Sequence, residues 1–211
     1  MKKATPAHAH LASLPHFPEG EPPPAWAVAT LFPAQGSWSE RDYLELPTNR
    51  LVELSDGSIE VLPVPTRDHQ KIVAFLFESL RAFVVSRKLG EVYFSPLPLH
   101  LWPGKYREPD VIFVRADNAK ALQGEYLEGA DLVMEVVSAD DPERDWVKKR
   151  EEYARAGIPE YWVVDPHAGR LTVFVLKGES YSVHAELGKD GDATSVLLPG
   201  FRVRVAEALS A

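Results

Sequence analysis

The stretch Leu132-Val133-Met134-Glu135-Val136-Val137 decides how the rest of the chain is read. It has the length and β-branched content of a strand buried in a sheet. Glu135 breaks the apolar run. A carboxylate there loses its hydration, which is costly unless it is protonated, ion-paired or bound to a metal. Upstream, Pro109-Asp110 opens a run of the same kind, Asp110-Val111-Ile112-Phe113-Val114. Two neighbouring strands, each with a carboxylate near one end, would frame a metal-sized pocket of oxygens.

Working outward, the clearest helix lies over 67–88. Ile72, Val73, Leu76, Leu80, Phe83 and Val84 recur at helical spacing, and Gly90 reads as the stop. Before it, Leu51 to Leu54, the Asp56-Gly57 turn and Ser58 to Val64 predict a β-hairpin. Ser37 or Ser39 caps a short helix through Leu44. After the long helix come strands at 92–94 and 98–102. A second helix over 142–156 starts at Asp141-Pro142 and stops at Gly157. Glu160 to Val164 is a strand, and 170–176 with 180–185 is a hairpin. The tail closes on a short helix after Leu198-Pro199-Gly200-Phe201. The fold class is α/β (or α+β), a central mixed sheet flanked by helices.

Composition limits the function classes. The chain has 211 residues, enough for one domain plus an arm. Residues 1–36 are a Pro-rich N-terminal arm that could dock through Trp26 and Phe32, and 37–211 form the domain. The arm's His8, His10 and His16 have no spacing of a strong metal site. There is no cysteine, which excludes disulfides, thiol catalysis and a zinc–thiolate site. No apolar run nears the roughly 18 residues of a membrane span. The start does not read as a signal peptide, because Pro6, His8, His10 and Pro15 interrupt it. A cytoplasmic protein is expected. The net charge of −8 argues against broad electrostatic capture of nucleic acid, but not against a nuclease whose acids are neutralised by metal.

The candidate constellation is Glu53, His69, Asp110, Glu135, Asp145, Lys149 and Tyr153. Helical spacing sets Asp145, Lys149 and Tyr153 on one face, which can lean over the end of the Glu135 strand. Mg²⁺ (or Mn²⁺) takes oxygen ligands, which Asp110, Glu135 and the Val136 carbonyl could supply. A nearby lysine can orient water or steady developing phosphorane charge. Each residue also has a plainer reading. Asp110 could end a turn, and Glu135 could pair with Arg107 or Arg150. Asp145 and Lys149 fit an ordinary i, i+4 ion pair. Tyr153 and His69 could be packing residues, and Glu53 could face solvent.

The ordered set Pro109-Asp110, Glu135-Val136-Val137-Ser138, Asp145, Lys149, Tyr153, Gly157 and Glu160-Tyr161-Trp162-Val163-Val164-Asp165 strongly resembles the Uma2 family of the PD-(D/E)XK nuclease-like superfamily. Glu53 with Asp56-Gly57, His69 and Leu198-Pro199-Gly200 also match, and the resemblance runs from about Ser39 to Leu209. It implies a restriction-endonuclease-like core and a metal-dependent endonuclease acting on DNA. Asp110 and Glu135 would bind the metal, Lys149 would act on the attacking water, and Glu53 would hold metal or steady Lys149. The superfamily pattern places a lysine two residues after the acid. Val137 stands there, so Lys149 is expected to reach the same space from the following helix. The alternative is a non-catalytic binding or assembly module that keeps the fold. A two-fold homodimer is the expected assembly.

Overall fold

The computed structural model describes residues 32–46, 51–118, 120–122 and 124–211. Trp26 and the three histidines of the arm lie outside the described residues.

The small N-terminal layer begins with α1 (Glu40–Leu44), capped by Ser39 in a capping box with Asp42. Strands β1 (Val52–Ser55) and β2 (Ser58–Val61) follow as the expected hairpin. Its turn places Asp56 and Gly57 at positive φ, as a tight right-twisting hairpin requires. Phe32 stacks on Trp38, and Gly36 donates its N–H to the Gly57 carbonyl, so residues 32–36 run along this hairpin.

Helix α2 (Arg67–Arg87) is capped by Thr66, whose side chain accepts from His69 N. It ends at Lys88 in the left-handed conformation, not at Gly90. Gly90 instead opens β3 (Gly90–Phe94), where a Cβ would strike the Val114 carbonyl. Strands β4 (Leu99–Trp102), β5 (Lys105–Arg107), β6 (Val111–Arg115) and β7 (Leu132–Val136) follow. A wide π-helical segment, Arg144–Lys149, leads into α3 (Arg150–Arg155). The chain then makes β8 (Glu160–Asp165), β9 (Arg170–Lys177), β10 (Ser180–Gly188), β11 (Asp192–Thr194), β12 (Arg202–Arg204) and α4 (Val205–Leu209).

The central six-stranded sheet has the order β10-β9-β8-β7-β6-β3. Its β7–β8 pair is parallel and its other pairs are antiparallel, so the sheet is mixed as expected. One face buries Met134, Val136, Trp162 and Val173 under α2 and α4. The other buries Ile112, Val133, Tyr161 and Val163 under Tyr153 of α3. A four-stranded sheet of order β2-β1-β5-β4 lies beside it. Val52, Leu54 and Tyr106 pack its apolar face on Tyr43. By strand alternation Glu53, Lys105 and Arg107 occupy the opposite face, yet all three are buried. Strands β5, β11 and β12 were not among the expected elements; each is only three residues long.

Candidate metal and phosphodiester site

Antiparallel register brings the two strand acids together. Val111 pairs with Met134, so Asp110, one residue earlier, stands opposite Glu135, one residue later, on the same face. Both line a cavity of about 440 Å³ that also receives His69, Val136, Arg144 and Lys149. Asp110 Oδ2 accepts the Val136 N–H at 2.8 Å. His69 Nε2 lies 3.1 Å from the Val136 carbonyl and 3.3 Å from Asp110 Oδ2. Both neighbours are acceptors, so this nitrogen carries the proton. Burial alone would lower the His69 pKa, but Asp110, Glu135 and the Val136 carbonyl outweigh it and raise it.

Lys149 reaches the acids from the π-helical segment. Its Nζ is 2.9 Å from Glu135 Oε1 and 3.1 Å from Asp145 Oδ1, and the residue is only 5% exposed. Tyr153 donates its hydroxyl to the same Glu135 oxygen at 2.6 Å. The regular helix expected over 142–156 is thus corrected in its first half. The wide turn has a local cause: the Tyr161 hydroxyl donates to the Asp145 carbonyl at 3.0 Å, a carbonyl that a regular helix would give to Lys149 N. Burial would strip the Lys149 proton, but Asp145, Glu135, Glu53 and Asp110 more than reverse this and hold it protonated. Glu135 is pushed upward, by burial first and then by Asp110 and Asp145, against the pull of Lys149 and Tyr153. One buried ammonium therefore faces more carboxylate than it can neutralise.

Glu53 is fully buried rather than solvent-facing. Its Oε2 accepts from Arg107 at 2.6 Å and from Arg144, and its Oε1 accepts Glu108 N at 3.0 Å. Burial would raise it, but Lys149, Arg107 and Arg144 hold it down at about 2. Glu53 thus touches guanidinium groups and acts on Lys149 only through its field. Neither arginine considered for Glu135 pairs with it. Arg107 binds Glu53, Glu60 and Glu152, and Arg150 lies over the Phe174 ring.

Arg144 and Glu108 escaped the sequence reading, and Arg107, considered there as a partner of Glu135, serves other acids. Arg107 is completely buried at the centre of the charge network. Arg144 lines the cavity and bridges Glu53 and Glu60. Glu108 also lines it, with Oε2 buried and without a hydrogen-bond partner. Burial, then Glu53, raises the Glu108 carboxyl to about 7. The signal available was Arg107-Glu108-Pro109-Asp110, three charged residues about one proline, which strand periodicity alone does not rank.

The donors suit a hard cation that keeps much of its water: two carboxylates and one carbonyl, all oxygen. Among the described residues no three His, Cys, Asp or Glu side chains converge as a metal cluster, so an all-side-chain cage of the zinc type does not fit. No helix of the described residues is long and apolar enough to cross a membrane.

Comparison with known proteins agrees with this architecture. A crystal structure from Anabaena variabilis ATCC 29413, described as a putative nuclease belonging to DUF820, superposes with a TM-score of 0.67 at 17% identity, covering 81% of this chain and 96% of that one. At that identity the likeness establishes a shared nuclease-like fold. No curated protein matches the chain. The model of the Uma2 family, described as "Putative restriction endonuclease", matches residues 40–206. That match takes in both strand acids, the π-helical lysine and most of the chain, and the protein belongs to the Uma2 family.

Proposed function

We propose that the chain is a metal-dependent endonuclease that hydrolyses DNA phosphodiester bonds. The observation that carries this reading is the pairing of Asp110 with Glu135 across β6 and β7, at a cavity that also holds a buried, protonated Lys149. Asp110, Glu135 and the Val136 carbonyl would hold Mg²⁺ or Mn²⁺. The ion, when bound, would acidify water and offset phosphate charge. His69 fixes the Val136 carbonyl and Asp110 relative to each other. Lys149 orients the Glu135 carboxylate and places a positive charge where charge develops on phosphorus. Tyr153 keeps Glu135 in one rotamer by its hydrogen bond. Glu53 keeps the cations of the network charged and in place.

The test is cleavage of supercoiled plasmid DNA in Mn²⁺ and in Mg²⁺ by the wild type, Asp110→Asn and Glu135→Gln. Metal-dependent nicking by the wild type that either substitution removes supports the reading. Equal nicking by the variants contradicts it. A second reading, a non-catalytic binding or assembly module that keeps the fold, is favoured by one feature. Lys149 already has Glu135 and Asp145 as ion-pair partners, as a purely structural lysine would. An inert wild type that also binds no divalent ion would leave that reading.

A further inference from the structure

The cavity that holds the acids has two unlike kinds of lining. Asp110, Glu135 and Lys149 supply charged lining, and Leu51, Val61, Leu62, Pro63 and Pro65 supply apolar lining. The apolar lining reaches into solvent, with Val61 63% exposed. The acids are recessed: Glu135 is 2% exposed and the Asp110 side chain 15%. Among the described residues, the lysine and the arginine that line the cavity, Lys149 and Arg144, are both committed to carboxylates. Asp140 and Asp141 add further negative charge to its lining. The chain as a whole carries −8.

A duplex held by its backbones needs a basic surface around the cut. It would also have to lower a paired, stacked nucleotide into a recess of about 440 Å³. An unpaired nucleotide has neither difficulty. Its phosphate can descend to the acids while its base lies against the valine and proline lining, where every base offers the same apolar face. Resting on the nuclease reading above, we propose that the substrate of this site is single-stranded DNA, held mainly by contact of one base with the apolar lining of Val61, Leu62, Pro63 and Pro65 rather than by phosphate charge.

The experiment uses the full chain with a fluorescein-labelled single-stranded DNA oligomer, its blunt duplex and an RNA of the same sequence. Cleavage is followed in Mn²⁺, and binding by anisotropy in Ca²⁺. The proposal expects the single strand to be cleaved and bound at least about tenfold better than the duplex, as burial of about 50–60 Å² of a base's face against the aliphatic lining implies. The log–log salt slope of binding should be shallower than about −2. Val61→Asp should raise KM and Kd for the single strand about tenfold with kcat kept. Val64→Asp, also on the exposed Pro63–Pro65 segment but outside this cavity, should change neither. Duplex handled as well as single strand, RNA preferred to DNA, or a Val61→Asp protein equal to wild type overturns the proposal. If no substrate is cleaved, the nuclease reading fails, and the anisotropy arm still decides this one: single-strand binding that is weak or insensitive to Val61→Asp overturns it.

Discussion

Lys149→Ala is expected to cost stability as well as any cleavage, because its ammonium lies 2.9 Å from Glu135 and 3.1 Å from Asp145 in a site almost closed to water. Stranding a buried partner costs about 3–5 kcal/mol, and the lower end applies because Glu135 already favours a proton. Urea unfolding checks this. Combining Lys149→Met with Glu135→Gln should recover most of the stability and none of the cleavage. Tyr153→Phe should lose about 1.5 kcal/mol with its hydrogen bond to Glu135. That bond lowers the Glu135 pKa, so removing it should move the acidic limb of the cleavage profile to higher pH. An unshifted limb would mean that Glu135 does not govern it. At this scale the two strand acids were legible in the sequence, because a carboxylate in an apolar run has few explanations. Arg107 was not. Lys105-Tyr106-Arg107 alternates like a half-exposed strand, and only the packing of α3, far along the chain, buries its charged face.

Among the elements, the contact between the small sheet and α3 is electrostatic. Arg107 forks onto Glu152 with two bonds, 2.7 and 2.8 Å, while its Nη1 serves Glu53 and Glu60. Arg107→Met should therefore be markedly destabilising, by about 3–5 kcal/mol, since Glu53 is left buried beside fewer cations. Arg107→Lys should recover only part of that, because an ammonium cannot reproduce the two-pronged geometry. Glu53 and Glu60 are both held at about 2, below the usual value of 4.5. A lowered carboxyl stabilises the fold fully above its unfolded pKa and stops doing so as pH falls through the folded one. Stability should thus drop between about pH 4.5 and 2, and Glu53→Gln, though less stable at the start, should lose less over that window. Equal losses would remove Glu53 as a source. The hairpin, the long helix and the strands of the central sheet were legible because each carries its own period or turn. The π-helical segment was not, since its widening depends on a hydroxyl from Tyr161, twelve residues past Lys149. The three-residue strands are too short to show a period.

For the molecule as a whole, charge links fold to function. Asp110, Glu135 and Asp145 gather around one lysine, and a divalent ion that binds only the folded state should relieve their repulsion. Mn²⁺ at about a hundredfold excess over its Kd should raise the Tm by about 5–10 °C. Asp110→Asn with Glu135→Gln should abolish that response and could leave the metal-free protein more stable than wild type. The family and the nuclease-like architecture were legible because the residue order from Pro109 to Asp165 is long and specific. The burial of the small sheet's charged face was not, because it arises only when two sheets and a helix meet. The divalent cation proposed for the paired strand acids is tested most directly by anomalous diffraction from a crystal soaked in Mn²⁺. The expected result is one strong peak within coordination distance of Asp110, Glu135 and the Val136 carbonyl, absent in Asp110→Asn. A saturating soak with no peak there, or a peak held only by other residues, would contradict the account.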